Sequence, residues 1–315
     1  MSSRTEPAAG VQLSRTAWHR EAGRARRREN GRAYLLISVA LLITGTLVLY
    51  PSAHSLVGSV FANQLGEADH PFVGLDNYRT VLTDRGFRTA LINTFGYLVA
   101  LSVLLFGIGL ALATWLRALT GRVRTVAVAV IILPWAVPGT ISGSLWALIL
   151  NPTGSGLLNS ALTQLGLIDT NVTWIHDPRI GTLMIGLMVA WSASPFAAII
   201  FLAGLEGIPR ELYESARVDR ASQWQQFRSI TLPLLRPAMA LVALTGALSA
   251  IGLYDQVFVL VGNDPQRITL TGQVYLSAFQ DFDFGFGYAA SVLATGLSAF
   301  FAFVYLKFLY REVEY

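Results

Sequence analysis

The side chains that could do chemistry are few and widely spaced. Lys307 is the only lysine, so a nucleotide-binding GxxxxGK[ST] loop is impossible in this chain. The four histidines, His19, His54, His70 and His176, never pair at metal-ligand spacing, and neither HExxH nor GxSxG occurs. Without cysteine there is no disulfide and no thiol chemistry. The sequence therefore predicts no catalytic residue, no metal site and no cofactor bound by this chain.

The charge distribution predicts a protein that crosses a membrane several times. Only 13% of the 315 residues are charged, against ~25% in soluble domains. A bilayer core takes ~20 mainly apolar residues per helix. Six stretches without charged residues supply this length, although the fifth does so only when it is extended through Asp255. A soluble two-domain protein is excluded, and six spans are predicted within a permease domain at 33–310. These spans are at about 33–56, 90–116, 125–150, 180–205, 237–260 and 286–309.

The basic residues predict the orientation of these spans. With residues 1–32 inside and six crossings, 18 of the 23 basic residues fall on the cytoplasmic side, as the positive-inside rule requires. Both termini, the basic tail 1–32 and the end 311–315, are then cytoplasmic. The apolar run after the tail is too long for a signal peptide. The tail orients the chain, with binding to anionic lipid as the alternative.

The longest internal loop, 207–236, begins with the pattern of a helix start. Pro209 stands at the beginning, and Glu211 and Glu214 follow where acidic side chains complement the positive end of the helix dipole. Glu214 and Arg217 are three residues apart and are able to form an ion pair. This pattern predicts a short helix at the inner membrane surface.

A second short helix is predicted further along the same loop. Ser222 and Gln225 have the spacing of a capping box. Trp224, Phe227 and Ile230 then form an apolar stripe, which needs cover from the spans or from another protein. The loop is therefore expected to be two helices joined near 219–222.

The same loop resembles the EAA loop of ABC-importer permeases. The matching residues are Tyr213–Ala216, Asp219 and Phe227–Pro233. The similarity covers roughly residues 33–310 and is closest to the carbohydrate branch, the maltose and glycerol-phosphate importers. The flanking segments that agree with this branch are Asn77-Tyr78, Leu133-Pro134, Pro195-Phe196 through Ile208-Pro209, Leu232–Pro237 and Asp283–Ser291.

Two residues depart from the family pattern inside this loop. The second residue of the motif, usually alanine, is Ser215, a small change, and the glycine that follows the aspartate is Arg220. Glycine at that position permits a left-handed turn. The arginine suggests either a different turn or an added charge contact. The Gly-Gly-Pro that often follows span five is also altered, to Gly262-Asn263-Asp264-Pro265.

The resemblance implies an all-α, six-transmembrane-helix type I ABC importer permease with a cytoplasmic EAA coupling helix, in a bacterial cell membrane. Its expected partners are a second permease subunit of different sequence, two ABC ATPase subunits that use ATP and Mg²⁺, an extracytoplasmic sugar-binding protein and membrane lipids, but no nucleic acid. The chain itself is then a transport subunit and no enzyme. The residues expected to contact the ATPase are Glu211, Glu214, Ser215, Ala216, Asp219, Arg220 and Phe227.

Polar and aromatic side chains in spans three to five are candidates for the solute path. Aromatic faces and a carboxylate suit a ligand rich in hydroxyl groups. Membrane Trp and Tyr also form interface belts, and Ser also eases helix packing. Asp255 is favoured because a charge within the bilayer is costly. The candidates are Ser142, Trp146, Trp191, Ser192, Ser194, Ser249, Tyr254, Asp255 and Gln256.

Three other functions remain open at this stage. An ABC permease for amino acids, peptides or ions shares the loop, and only the flanking motifs favour sugar. A gradient-driven carrier needs no ATPase, but such carriers usually hold acidic or histidine relays within their helices, and this chain has Asp255 alone. A lipid-modifying membrane enzyme is disfavoured by the shortage of catalytic groups.

Overall fold

The computed structural model describes residues 34, 37–66, 69–177 and 180–309, with side chains as far as residue 307. The predicted cytoplasmic segments 1–32 and 311–315 lie outside the described residues. The described part is helical, with isolated bridges and no strand. The chain divides into two units, 1–55 and 56–315. In the first unit the described chain is almost wholly the first part of helix α1 (Ile37–Gly58), and its side chains there are exposed or half-buried.

The second unit contains the remaining helices. Most of them coincide with the apolar stretches of the sequence, and turn residues separate them. The helices are α2 (Asp76–Thr83), α3 (Arg85–Ala118), α4 (Gly121–Ala136), α5 (Gly139–Ile149), α6 (Leu157–Gln164), α7 (Gly181–Glu206), α8 (Arg210–Val218), α9 (Gln223–Leu234), α10 (Arg236–Ile251), α11 (Asp255–Val261), α12 (Leu270–Phe279) and α13 (Phe284–Lys307).

Four of the described helices, α1, α3, α7 and α13, are long and apolar enough to cross a membrane by themselves. Two further spans are possible if each of two bent pairs is one crossing: α4 with α5, bent by 94°, and α9 with α10, bent by 65°. The chain is thus a multi-pass helical membrane protein. Helix α4 ends at Ala136, where Pro138 cannot continue the hydrogen bonding of a straight helix.

The predicted third and fifth spans therefore each contain two helices. In the region 125–150 the break falls at 137–138, between α4 and α5. In the region 237–260, helix α10 ends at Ile251 and α11 begins only at Asp255. Irregular backbone at membrane depth is tolerated where it lines a cavity or is buried in protein, and both breaks line the cavity described below.

Helices α3 and α7 pack against each other through small residues. A Cβ on Gly109 of α3 would lie 2.9 Å from the Cβ of Ala197, and one on Gly186 of α7 would lie 2.8 Å from the Cβ of Ala100. Small residues let membrane helices approach closely. The large buried side chains around this pair include Tyr97, Leu101, Ile185, Met188 and Phe201. Helix α10 packs on the same core through Gly246.

A buried arginine fastens the segment before α12 to this core. Arg267 donates through Nη2 to the carbonyl of Asp177 at 2.8 Å and through Nη1 to Thr182 Oγ1 at 3.2 Å. Its own carbonyl accepts a hydrogen bond of 2.8 Å from the Tyr97 hydroxyl. These contacts join the segment 262–269 to α3 and to the start of α7.

Candidate functional site

The segment 210–234 is a hairpin of two helices, α8 and α9. The capping box predicted at the start of α9 is present: the Ser222 N–H donates to Gln225 Oε1 at 2.7 Å, and the Gln225 N–H donates to Ser222 Oγ at 3.3 Å. The two helices share a hydrogen bond of 2.8 Å between the hydroxyls of Tyr213 and Thr231. The prediction of two short helices joined near 219–222 is confirmed.

The base of the hairpin is attached to the ends of the long helices. The guanidinium of Arg117, at the end of α3, lies 5.5 Å from the centre of the Tyr213 ring. A Cβ on Gly204 of α7 would lie 2.8 Å from Leu235 Cδ2, so α7 and the α9–α10 junction are in close contact. Leu235 is fully buried there. Arg124 of α4 also forms an ion pair with Glu206 of α7.

The tip of the hairpin is exposed and partly apolar. Val218 is 83% exposed and Trp224 is 66% exposed, and the Trp224 ring stacks on Phe227 with centres 5.6 Å apart. Of the predicted coupling residues, Ala216 and Phe227 are half-buried. The others are exposed on the same hairpin: Glu211, Glu214, Ser215, Asp219 and Arg220.

Two local expectations for this hairpin are settled by the structure. Glu214 and Arg217 do not form the ion pair that their spacing allows, and Arg217 Nε donates instead to the carbonyl of Tyr213 at 3.3 Å. Arg220 does not produce a different turn. Its φ of +58° is the left-handed conformation that glycine adopts most readily, and among the described residues Arg220 forms no ion pair.

A cavity of about 490 Å³ lies where α3, α7 and α10 meet the two helix breaks. Its size falls within the ~300–1,000 Å³ that is usual for small-molecule sites. Both apolar and polar side chains line it. The lining residues are Leu105, Trp135, Val137, Gly139, Val189, Ser192, Ala193, Phe196, Ala197, Thr245, Gly246, Ser249, Gly252, Leu253, Tyr254, Asp255 and Gln256.

The structure divides the predicted path residues between three places. Five of them line this cavity: Ser192, Ser249, Tyr254, Asp255 and Gln256. Trp146, Trp191 and Ser194 instead line a separate apolar pocket of about 310 Å³ between α3, α4, α5 and α7. Ser142 lines neither space and is fully buried.

The wall of the cavity formed by α5 and α11 is closely packed. A Cβ on Gly143 of α5 would lie 2.7 Å from the backbone carbonyl oxygen of Gln256, and one on Gly139 would lie 3.2 Å from Asp255 Cβ. Gln256 Nε2 donates to Ser192 Oγ at 3.2 Å, which connects α11 with α7. Among the described residues, the buried atoms Gln256 Oε1 and Ser142 Oγ have no hydrogen-bond partner.

Sequence reasoning missed an aromatic pair in this cavity. Trp135, in the last turn of α4, and Phe196 of α7 stack with ring centres 6.2 Å apart and ring planes 12° from parallel. Thr245 of α10 adds a hydroxyl to the lining. The available signals were the Leu-Pro-Trp and Pro-Phe sequences at 133–135 and 195–196, because a proline in a membrane helix is tolerated where the segment packs inside protein or lines a cavity.

Comparison with known sequences finds relatives along most of the chain. A family model described as "Binding-protein-dependent transport system inner membrane component" matches residues 103–314. The trehalose/maltose transport system permease protein MalF of Thermococcus litoralis is 34% identical over 285 residues, which is 89% of this chain and 94% of that protein. The trehalose transport system permease protein SugA of Mycobacterium tuberculosis is 31% identical over 289 residues, 90% of each chain.

Solved structures with the same fold also exist. A chain from the crystal structure of a bacterial ABC transporter that imports the acidic polysaccharide alginate superimposes with a TM-score of 0.69. It covers 91% of this chain and 100% of its own length at 23% identity. At that identity the likeness concerns the fold alone.

Proposed function

The chain belongs to the family of binding-protein-dependent transport system inner membrane components, and from this premise we propose that it forms part of the solute path of an ATP-driven sugar importer. Its family and its helical permease fold are as the sequence predicted. One observation supports the proposal most strongly. The 210–234 hairpin has an exposed tip, while its base is attached to α3, α7 and α10, the helices that surround the cavity.

The hairpin provides the mechanical connection that an external motor requires. A displacement of the tip by an ATPase passes through Tyr213 and Thr231 to α9, and through Leu235 to α7 and α10. Because packed interfaces shift between discrete arrangements, this displacement changes the helices around the cavity and so alternates its access. In this role Glu214 and Ala216 contact the ATPase, and Asp219, which ends α8, fixes the turn.

The energy in this proposal comes from partner subunits. Two ATPase subunits hydrolyse ATP, a second permease subunit completes the path, and an extracytoplasmic binding protein delivers the solute. The chain itself has no nucleotide-binding loop. The hairpin and both termini face the cytoplasm, where the positive-inside rule puts them.

The cavity has the chemistry of a site for a molecule rich in hydroxyl groups. The stacked Trp135 and Phe196 offer apolar ring faces at the cavity. Asp255 and Gln256 of α11 and Ser192 of α7 offer hydrogen-bonding groups at the same cavity. A few polar groups set among apolar ones give a small-molecule site its orientation and specificity. The two relatives described above, named for trehalose and maltose, support a sugar as the solute.

The experiment is uptake of labelled trehalose and maltose by vesicles that contain the complete complex, with Glu214→Ala as the test variant. We expect uptake to require ATP, and Glu214→Ala to reduce both uptake and retention of the ATPase on the purified permease. Asp169→Ala removes an exposed carboxylate between the third and fourth predicted spans, on the side opposite the hairpin in the predicted orientation, and serves as the control. Uptake that continues without ATP on an ion gradient would reject the proposal in favour of a secondary carrier.

A further inference from the structure

The turn between α8 and α9 places an arginine where the backbone favours glycine. Helix α8 ends in a Schellman motif: the Arg220 N–H donates to the Arg217 carbonyl at 3.0 Å, and the Ala221 N–H donates to the Ala216 carbonyl at 2.8 Å. These bonds hold Arg220 at φ +58°, a conformation that is unfavourable for any residue with a Cβ. The arginine is therefore present against the local backbone preference.

No interaction within the described chain accounts for the guanidinium of Arg220. The side chain is exposed, and it makes no hydrogen bond or ion pair with any described residue. A positive charge near a helix C-terminus does interact favourably with the helix dipole. Arg217 already supplies that charge from the last turn of α8, so the dipole does not account for Arg220.

Along the sequence, Arg220 stands between the two most exposed large apolar side chains of the hairpin, Val218 and Trp224. Tryptophan and arginine are the residue types enriched among the contacts that dominate protein–protein binding energies. Arginine also binds carboxylates with two parallel hydrogen bonds. The tip thus combines an apolar surface with the positive charge of Arg220, which forms no ion pair within the described chain.

We propose that Arg220 determines which ATPase this permease accepts, by binding a carboxylate on the rim of the ATPase surface that receives the hairpin. This inference rests on the proposed function. The cognate ATPase then carries an aspartate or glutamate opposite Arg220, beside an apolar depression for Val218 and Trp224. An ATPase without that carboxylate binds this permease more weakly.

The test measures binding of the purified ATPase subunit to the complete permease pair in nanodiscs of neutral lipid, at low and high salt. Arg220→Asn removes the charge but keeps a residue that tolerates the left-handed turn, and Arg220→Gly removes the charge and relieves the backbone. Arg122→Asn, an exposed arginine at the start of α4, is the control. Both Arg220 variants are expected to bind roughly tenfold more weakly at low salt and to show a weaker salt dependence than the wild type. The glycine variant is also expected to melt at a higher temperature than the wild type.

The outcomes separate this inference from the function on which it rests. If Arg220→Gly binds the ATPase as tightly as the wild type, the arginine has no part in recognition and the inference is wrong. If the Arg220 variants weaken ATPase binding only after anionic lipid is added to the nanodiscs, Arg220 binds the membrane and the inference is also wrong. If Trp224→Ala weakens binding while the Arg220 variants do not, only the inference fails. If Trp224→Ala and both Arg220 variants all bind like the wild type, the coupling role of the hairpin fails as well.

Discussion

Replacing Gly143 by alanine is expected to push α5 away from α11 and to disturb the cavity wall. The new Cβ would lie 2.7 Å from the carbonyl oxygen of Gln256 and 3.0 Å from Val259 Cβ. Both partners belong to the α11 helix, so relief requires a movement of the helix and not of a flexible side-chain end. Overpacking of this kind costs about 1–3 kcal/mol. It exceeds the 0.5–1 kcal/mol that alanine gains over glycine in a helix.

Gly107 of α3 provides a matched control, because a Cβ there meets no atom within 4 Å. Gly107→Ala is expected to raise the free energy of unfolding by about 0.5–1 kcal/mol, and Gly143→Ala to lower it by about 1 kcal/mol. Thermal unfolding of the purified complex in one detergent measures both, and vesicle uptake of the sugar tests function. If Gly143→Ala is as stable as Gly107→Ala and transports normally, the close contact between α5 and α11 is not part of the working protein.

Three further variants test individual contacts. Asp255→Asn is expected to raise the KM for sugar uptake roughly tenfold, because charge-assisted hydrogen bonds are worth about 1.5–3 kcal/mol. Normal transport by this variant would show that Asp255 does not bind the sugar. Tyr213→Phe leaves the buried Thr231 hydroxyl without its hydrogen-bond partner. It is expected to lower the free energy of unfolding by about 1–3 kcal/mol, which is measured as a lower melting temperature. An unchanged melting temperature would show that other contacts hold α8 and α9 together. Glu206→Gln breaks a half-exposed ion pair with Arg124 and is expected to lower the free energy of unfolding by less than about 1 kcal/mol. A larger loss would show that this pair contributes more to stability than a surface ion pair usually does.

The hairpin could be predicted in detail because its signals are local. The capping box of Ser222 and Gln225 and the early Pro209 act over three or four residues, so they are visible in the sequence and are present in the structure. The turn at Arg220 is the exception. Residue type alone left a different turn or an added charge contact open, and the structure shows that the Schellman motif holds Arg220 in the left-handed conformation.

The cavity could be predicted only in part, because a stretch without charged residues gives few signals of where its helices begin and end. Counting apolar residues gives the length of a span, yet it does not show that the stretch 237–254 ends its helix at Ile251. The polar residues that line the cavity, such as Asp255 and Gln256, stood out by type. Trp146 and Trp191 were also chosen by type but line another pocket, whereas Trp135 and Phe196 line the cavity, because residue type does not show which space an aromatic side chain faces.

The most direct test of the account is the composition and ATP dependence of the native assembly. We predict that the chain, purified from its own membrane in mild detergent, carries a second permease subunit and two copies of an ABC ATPase. We also predict that a sugar-loaded binding protein stimulates ATP hydrolysis by this assembly. A chain that purifies without any ATPase, and that still takes up sugar in vesicles on an ion gradient alone, would contradict the account.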